Sequence, residues 1–299
     1  MSESKEKSST GAIVGILIFF FIVFLLVAGA VFSMVAGDEK MGDQIGVVEV
    51  TGTIESADST VKSIRAFSED ELIRGVLIRL NSPGGSVSAS QEIVEAIRSI
   101  KKPVVISMGD MAASGAYYVA CAGPTIYASA GTLTGSIGVI SQVVEFKDVL
   151  DFLKLKVHTV KTGDLKDSGS PFREFNDTDK VFFTELGLEI LDQFATHVSE
   201  ARHLPKDKVM SLADGRVWTG RQAQKLGLID EIGGFNDAIE ALKKEAGIVD
   251  KVDLVYPKRA SDDLLLSLIE QSASEVSHGM AAGARDVLNS PRSFMYLYK

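Results

Sequence analysis

Gly75-Val76-Leu77-Ile78-Arg79-Leu80-Asn81-Ser82-Pro83-Gly84-Gly85 is the stretch on which the fold turns. Its first six residues make a short apolar strand, and the Asn-Ser-Pro-Gly-Gly run stops that strand in a loop. Ser88 to Ile100 then sets Ile93, Val94, Ala96, Ile97 and Ile100 on one helical face. Pro103 to Ser107 is the next strand, and Ala112 to Cys121 the next helix, after a second glycine-containing loop. Strand, loop, helix, twice over, predicts an α/β fold with parallel sheets and crossover helices, because parallel neighbours need a long connection over one face of the sheet. Both loops leave the carboxyl ends of strands, where ligands and catalytic groups of such sheets gather.

On the amino-terminal side, Ile45 to Val50 reads as a strand and Val61 to Phe67 as part of a helix. On the carboxyl side, Ile126 to Ala128 is extended, and Gly131 to Ile140 has three glycines in eight residues, suited to close backbone approach. Val144 to Leu153 is expected to be helical, Val157 to Val160 extended, and Gly163 to Pro171 a loop. Asp177 to Glu200 is a long amphipathic helix with Phe182, Phe183, Leu186, Ile190 and Phe194 on one side. Gly220 to Leu226 is a helix capped by Thr219, and Phe235 to Ala246 is another.

The chain has 299 residues, 45% hydrophobic and 24% charged, which is globular usage. Its net charge of -9, with no Lys/Arg cluster, argues against a nucleic-acid partner. Cys121 is the single cysteine, so neither an intramolecular disulfide nor a cysteine-based metal site is expected. The mean hydropathy of +0.17 is high, and the excess is local. Residues 11–37 carry no charge, and Ile13 to Val35 spans about 35 Å as a helix, against a hydrocarbon core of about 30 Å. A transmembrane anchor is therefore expected at 13–35, after a cytoplasmic segment 1–12 and before a linker 36–44. The apolar run is too long for a cleaved signal peptide. Lys5 and Lys7 before it, against Lys40 after it, place the amino terminus inside and the main domain, residues 45–255, outside the cytoplasm. Residues 256–299 form a polar tail with an apolar end, Phe294 to Tyr298, expected to dock on its own subunit or in a hydrophobic groove.

Ser114 lies between small residues at a strand-to-helix junction, which suits either a nucleophile or a plain helix cap. None of His158, His197, His203 and His278 has an acid partner at a telling spacing, so no Ser-His-Asp triad is read, and residues 112 and 116 are alanines, against the GxSxG elbow. A lysine can replace histidine as base when burial disfavours its ammonium. Lys166, in the glycine- and proline-bounded loop 163–171, is the candidate, with an ordinary surface lysine as the alternative. Glycine amides at Gly85 and Gly115 could bind a developing oxyanion, or serve only as tight turns.

These stretches, with Leu133 to Val139, Lys166 to Arg173 and Ala213 to Gly220, occur in the order found in the signal peptide peptidase A family, which the chain resembles over about residues 45 to 250. The resemblance implies a fold related to the caseinolytic protease and crotonase folds, and a membrane-anchored serine endopeptidase of the short, single-protease-domain form. It also implies Ser114 as nucleophile, Lys166 as general base, Ser136 holding the lysine amine, Gly85 and Gly115 as oxyanion donors, and no cofactor or metal. Hydrophobic peptides such as released signal peptides would be the substrates, membrane lipid the surroundings, and a homo-oligomeric ring or bowl the assembly. Ala116 departs from the second glycine that the family often has after the Ser-Gly pair. Two alternatives are a protease that clips a stomatin-like membrane protein and a crotonase-like acyl-CoA enzyme.

Overall fold

The computed structural model describes residues 18–29 and 43–257. The chain divides into two units, one up to Asp43 and one from Gln44 onward. In the first, 18–29 form a helix, α1, whose residues are all exposed. Among the described residues no helix is long and apolar enough to cross a membrane. The expected anchor at 13–35 extends past this helix at both ends, into residues outside the described ones, as does the tail beyond residue 257.

The second unit opens with β1 (Gln44–Thr51), α2 (Asp58–Glu69), β2 (Ile73–Ser82), α3 (Val87–Ser99) and β3 (Val104–Ala113). The three strands pair in parallel, with Val47 beside Leu77 and Leu77 beside Val105. Both faces of this sheet are covered, which explains why the strands read as nearly continuous apolar runs rather than alternating ones. Successive residues still serve opposite faces. Ile45, Val47, Leu77 and Val105 pack with Ala238, Ile239 and Leu242 of α9 (Phe235–Glu245). Val48, Val76, Ile78, Leu80, Val104, Ile106 and Met108 belong to the larger core on the other face, with residues of α2, α3 and α4 (Gly115–Ala120). Each fully buried Leu or Ile stabilises this arrangement by about 1.5–3 kcal/mol.

Beyond β3 the sheet forks. The first half of β3 pairs with β4 (Ile126–Ala128), and its last three residues pair with β5 (Leu133–Gly135). The pairing with β2 slips between these halves, from Leu80 beside Met108 to Ser82 beside Ala112. The Asn81 side chain fills the slip, accepting from the Met111 amide at 3.2 Å. After β5 come α5 (Lys147–Phe152), a single 3-10 turn (Asp164–Asp167), the long α6 (Asp177–Arg202) and α7 (Lys206–Leu212). Next follow β6 (Val217–Thr219), α8 (Gly220–Leu226) and β7 (Glu231–Ile232), with β8 (Asp253–Val255) after α9. The sheet runs β6-β5-β3-β2-β1-β8, with β7 on β4.

The α/β architecture expected from the glycine loops is present, with four differences. β3 continues through Ala113, so the helix expected from Ala112 starts only at Gly115. The β5–β6 pair is antiparallel, so the sheet is mixed. Val157 to Val160 forms no strand and is exposed, since no neighbour offers it a ladder. The helix expected over 144–153 is trimmed to α5. Thr219 caps α8 as expected, in a reciprocal capping box with Gln222.

Candidate active site

The fork in β3 places Ser114. Its amide donates to the Gly135 carbonyl of β5 at 2.8 Å, and its carbonyl accepts the Tyr118 amide of α4 at 2.9 Å. Held at both ends, it adopts φ 53 and ψ -125, a conformation that costs a non-glycine residue about 1–3 kcal/mol. The plain-cap reading fails here, because the Ser114 side chain makes no cap hydrogen bond. Ser114 as a whole is half-buried.

Gly84 and Gly85 lie directly against this elbow. The loop is tied to Ile54, whose amide donates to the Gly84 carbonyl at 2.9 Å and whose carbonyl accepts the Ser86 amide at 2.7 Å. That parallel bridge uses the groups on either side of Gly85 and turns the Gly85 amide the other way, toward Ser114 and Gly115. No side chain fits between. A Cβ on Gly84, whose φ is 99, would sit 2.6 Å from the Gly115 nitrogen, and one on Gly115 would sit 3.2 Å from the Gly85 nitrogen and 2.6 Å from Ser90 Oγ. Gly115 opens α4, so its amide has no partner within the helix. Two amides therefore converge beside a serine hydroxyl, the arrangement that stabilises an oxyanion.

Two cavities meet at Ser114. One, of about 100 Å³, is lined by Gly85, Ser114 and Gly115 and walled by Tyr118, Ile140 and Phe194. The other, of about 430 Å³, is lined by Ser114, Ser136, Leu191 and Asp214 among others. Ser136 also has positive φ, at 50; its amide donates to the Arg216 carbonyl at 2.9 Å and its hydroxyl to the Gly215 carbonyl at 3.2 Å. Gly85, Ser114, Gly115 and Ser136 are thus brought together.

Lys166 lies apart from them. It is exposed on the 3-10 turn, lines neither cavity, and among the described residues no hydrogen bond or ion pair reaches its amine. Its neighbours are closely paired: Asp167 with Lys161 and Arg173, and Arg173 in turn with Asp179.

Among the other titratable groups, His197 is buried between Arg98, which donates to Nδ1 at 2.9 Å, and the Tyr118 carbonyl, which accepts from Nε2 at 2.9 Å. Burial holds it below the usual imidazole range, and its role is to back the Tyr118 wall. Burial pushes the Cys121 thiol up to about 12, so it is no nucleophile at neutral pH. Tyr118 and Ile140 escaped the sequence reading, since neither carries a local motif. Phe194 was legible as part of an apolar helix face, though not as a cavity wall.

The sequence comparisons agree with this geometry. The family described as Peptidase family S49 matches residues 96–249, and the Clp protease family matches residues 44–130. The chain belongs to peptidase family S49. A Synechocystis sp. protein provisionally named a protease is 37% identical over 216 residues, 71% of this chain and 78% of that one. An Enterococcus faecium protein provisionally named signal peptide peptidase SppA is 36% identical over 196 residues, 64% of this chain and 57% of its own. The chloroplastic serine protease SPPA of Arabidopsis thaliana is 32% identical over 244 residues, 75% of this chain and 36% of its own. The chain thus spans little more than half of the Enterococcus relative and about a third of the plant one. The Clp protease match agrees with the parallel α/β arrangement of β1 to β4.

Proposed function

We propose that this chain is a membrane-anchored serine endopeptidase for hydrophobic peptides, released signal peptides among them, acting through a Ser114–Lys166 dyad. The observation that carries the reading is the strained Ser114 elbow, whose hydroxyl makes no hydrogen bond among the described residues and which lines one cavity together with Gly85 and Gly115. Ser114 Oγ attacks the scissile carbonyl carbon while neutral Lys166 takes its proton, and the new oxyanion rests on the two amides. Collapse breaks the C–N bond, with the lysine returning the proton to the leaving amine. Water then attacks the acyl-enzyme by the same route and frees Ser114. Ser136 orients the lysine amine once that amine is in place.

Lys166 must come to this site from outside the folded subunit's own cavities, and a neighbouring subunit is the source that fits. In the stretch of chain that carries it, Ile140, Phe152, Val160 and Leu188 are 80%, 85%, 97% and 58% exposed, apolar side chains that a subunit contact would cover. A homo-oligomer that buries this surface would bring one subunit's lysine loop to the next subunit's serine. The anchor at 13–35 would hold the assembly at the lipid surface, with the catalytic unit outside the cytoplasm.

Labelling with a peptidyl-boronate or a fluorophosphonate tests the reading. Wild type is expected to label; Ser114→Ala and Lys166→Ala are expected not to, while mixed oligomers of the two variants regain labelling. Full labelling of a folded Lys166→Ala protein would overturn the dyad.

A further inference from the structure

We propose that Arg173 is a positioning residue for the Lys166 base, drawing Asp167 away from its chain neighbour Lys166 and fixing the lysine turn to the start of α6. The proposal rests on the reading of Lys166 as the base. Its material is the one dense charge network in the described part of the loop, none of which the sequence motifs assign a role.

The turn itself is short. Lys166 donates its amide to Gly163 at 3.2 Å, Ser168 to Leu165 at 3.1 Å and Ser170 to Asp167 at 3.0 Å, which leaves the lysine between two sharp bends. Arg173 closes the loop from the far side. Its Nη2 donates to the Asp167 carbonyl at 3.0 Å, and its Nε lies 3.2 Å from Asp167 Oδ2. The same guanidinium forks onto Asp179, with Nη1 to Oδ2 at 2.5 Å and Nη2 to Oδ1 at 2.7 Å. Asp179 is 1% exposed and also accepts the Asn176 amide at 3.2 Å, completing the capping box of α6. The clamp therefore runs from a buried helix start to the residue next to Lys166.

Lys161 completes the enclosure of Asp167, donating to its Oδ1 at 2.8 Å and to the Asp164 carbonyl at 2.8 Å. From the neighbouring elements, Glu145 accepts the Phe175 amide at 3.0 Å, and the Glu174 carbonyl accepts from Arg173 Nη1 at 2.8 Å. Hydrogen bonds from Lys161 and then Arg173 hold the Asp167 carboxyl below the usual carboxylate range, and Arg173 does the same for Asp179. Both carboxylates are thus committed to cations other than Lys166.

This matters for a lysine that must be neutral to work. An unpaired carboxylate one residue away favours the ammonium, and an ammonium cannot accept the serine proton. Arginine suits the task because its planar fork engages two carboxylates at once and stays charged across the working pH range.

The test is the pH dependence of kcat/KM on an apolar peptide, measured with the full chain. Arg173→Gln is combined with Asp179→Asn, since the single change would strand a buried carboxylate. In the folded double variant Lys161 still holds Asp167 Oδ1, and only the oxygen next to Arg173 is released, so activity should fall about threefold at neutral pH and the acid limb should move up by about half a pH unit. Adding Asp167→Asn should move the limb back toward wild type, a reversal that a merely structural loss would not show. Arg173→Lys, which keeps the charge without the fork, serves if the double variant fails to fold, and should show a smaller upward move that Asp167→Asn also cancels. An acid limb that stays at the wild-type position, or that ignores Asp167→Asn, overturns the proposal. Activity in Lys166→Ala would instead overturn the base assignment and leave the clamp as structure only.

Discussion

Two regions of the molecule bear the two halves of the proposed chemistry, and they are built in opposite ways. The sheet region, β1 to β3 with α2, α3, α4 and α9, buries both faces almost completely and sets Ser114, Gly85 and Gly115 in place through backbone hydrogen bonds. The region from Ile140 to Leu188 carries Lys166, yet leaves Phe152, Val160 and Leu188 in solvent, and its order comes from ion pairs and one capped helix start. The difference teaches that the Ser114 elbow is set entirely by the sheet's own backbone pairing, whereas the region that carries Lys166 leaves large apolar side chains uncovered by its own fold. Packing fixes the first and charge geometry the second.

The sharpest way to break the contrast is at the elbow. Gly115→Ala drives a methyl toward Ser90 Oγ and the Gly85 amide, so kcat should fall about 100- to 1,000-fold, the range for losing one oxyanion donor. Steady-state kinetics checks this, alongside a melting curve showing that the protein remains folded. Next in size is Leu77→Ala in the sheet, which empties a fully buried site and should cost about 2–5 kcal/mol in denaturant unfolding. An equal loss from truncating an exposed side chain of the 140–188 region would erase the distinction between the regions.

Acid should act on the charge-built half. Arg173 holds the Asp179 carboxyl below its usual range, so its contribution to stability is fully present above the unfolded value of about 3.9 and fades as pH falls through the lower folded value. Denaturant midpoints measured downward from pH 5 should therefore drop in wild type and drop less in Asp179→Asn. The smallest stability effect belongs to Phe152→Ser, expected within about 0.5 kcal/mol because the ring is 85% exposed. Light scattering should nonetheless give a lower mass for this variant, and activity should fall with it; an unchanged mass would show that this surface joins no subunits.

Much of the sheet was legible because strands buried on both faces announce themselves as apolar runs, and the glycine loops at Gly84-Gly85 and Gly115 mark where their carboxyl ends emerge. The sequence places the start of α4 at Ala112, since small residues suit a helix equally well, and only pairing with β5 keeps Ala112 and Ala113 extended. Val157 to Val160 is expected to be extended, yet β-branched residues cannot by themselves supply a strand with a neighbour.

The order of residues by itself determined the parallel core, the serine between small residues at a strand end, the lysine loop and the family to which the chain belongs. Periodicity and small-residue spacing are local properties, and the chain carries them whatever its partners. Only the tertiary structure decided that Ser114 is held at positive φ by Gly135, that two glycine amides converge beside it, and that Asp167, Arg173 and Asp179 form one clamp. It alone also set Lys166 outside the cavities at Ser114. The physical reason is distance along the chain: these contacts join β3 to β5, β2 to α4, and a loop to the next helix, and no local spacing encodes a pairing that forms only when the sheet forks.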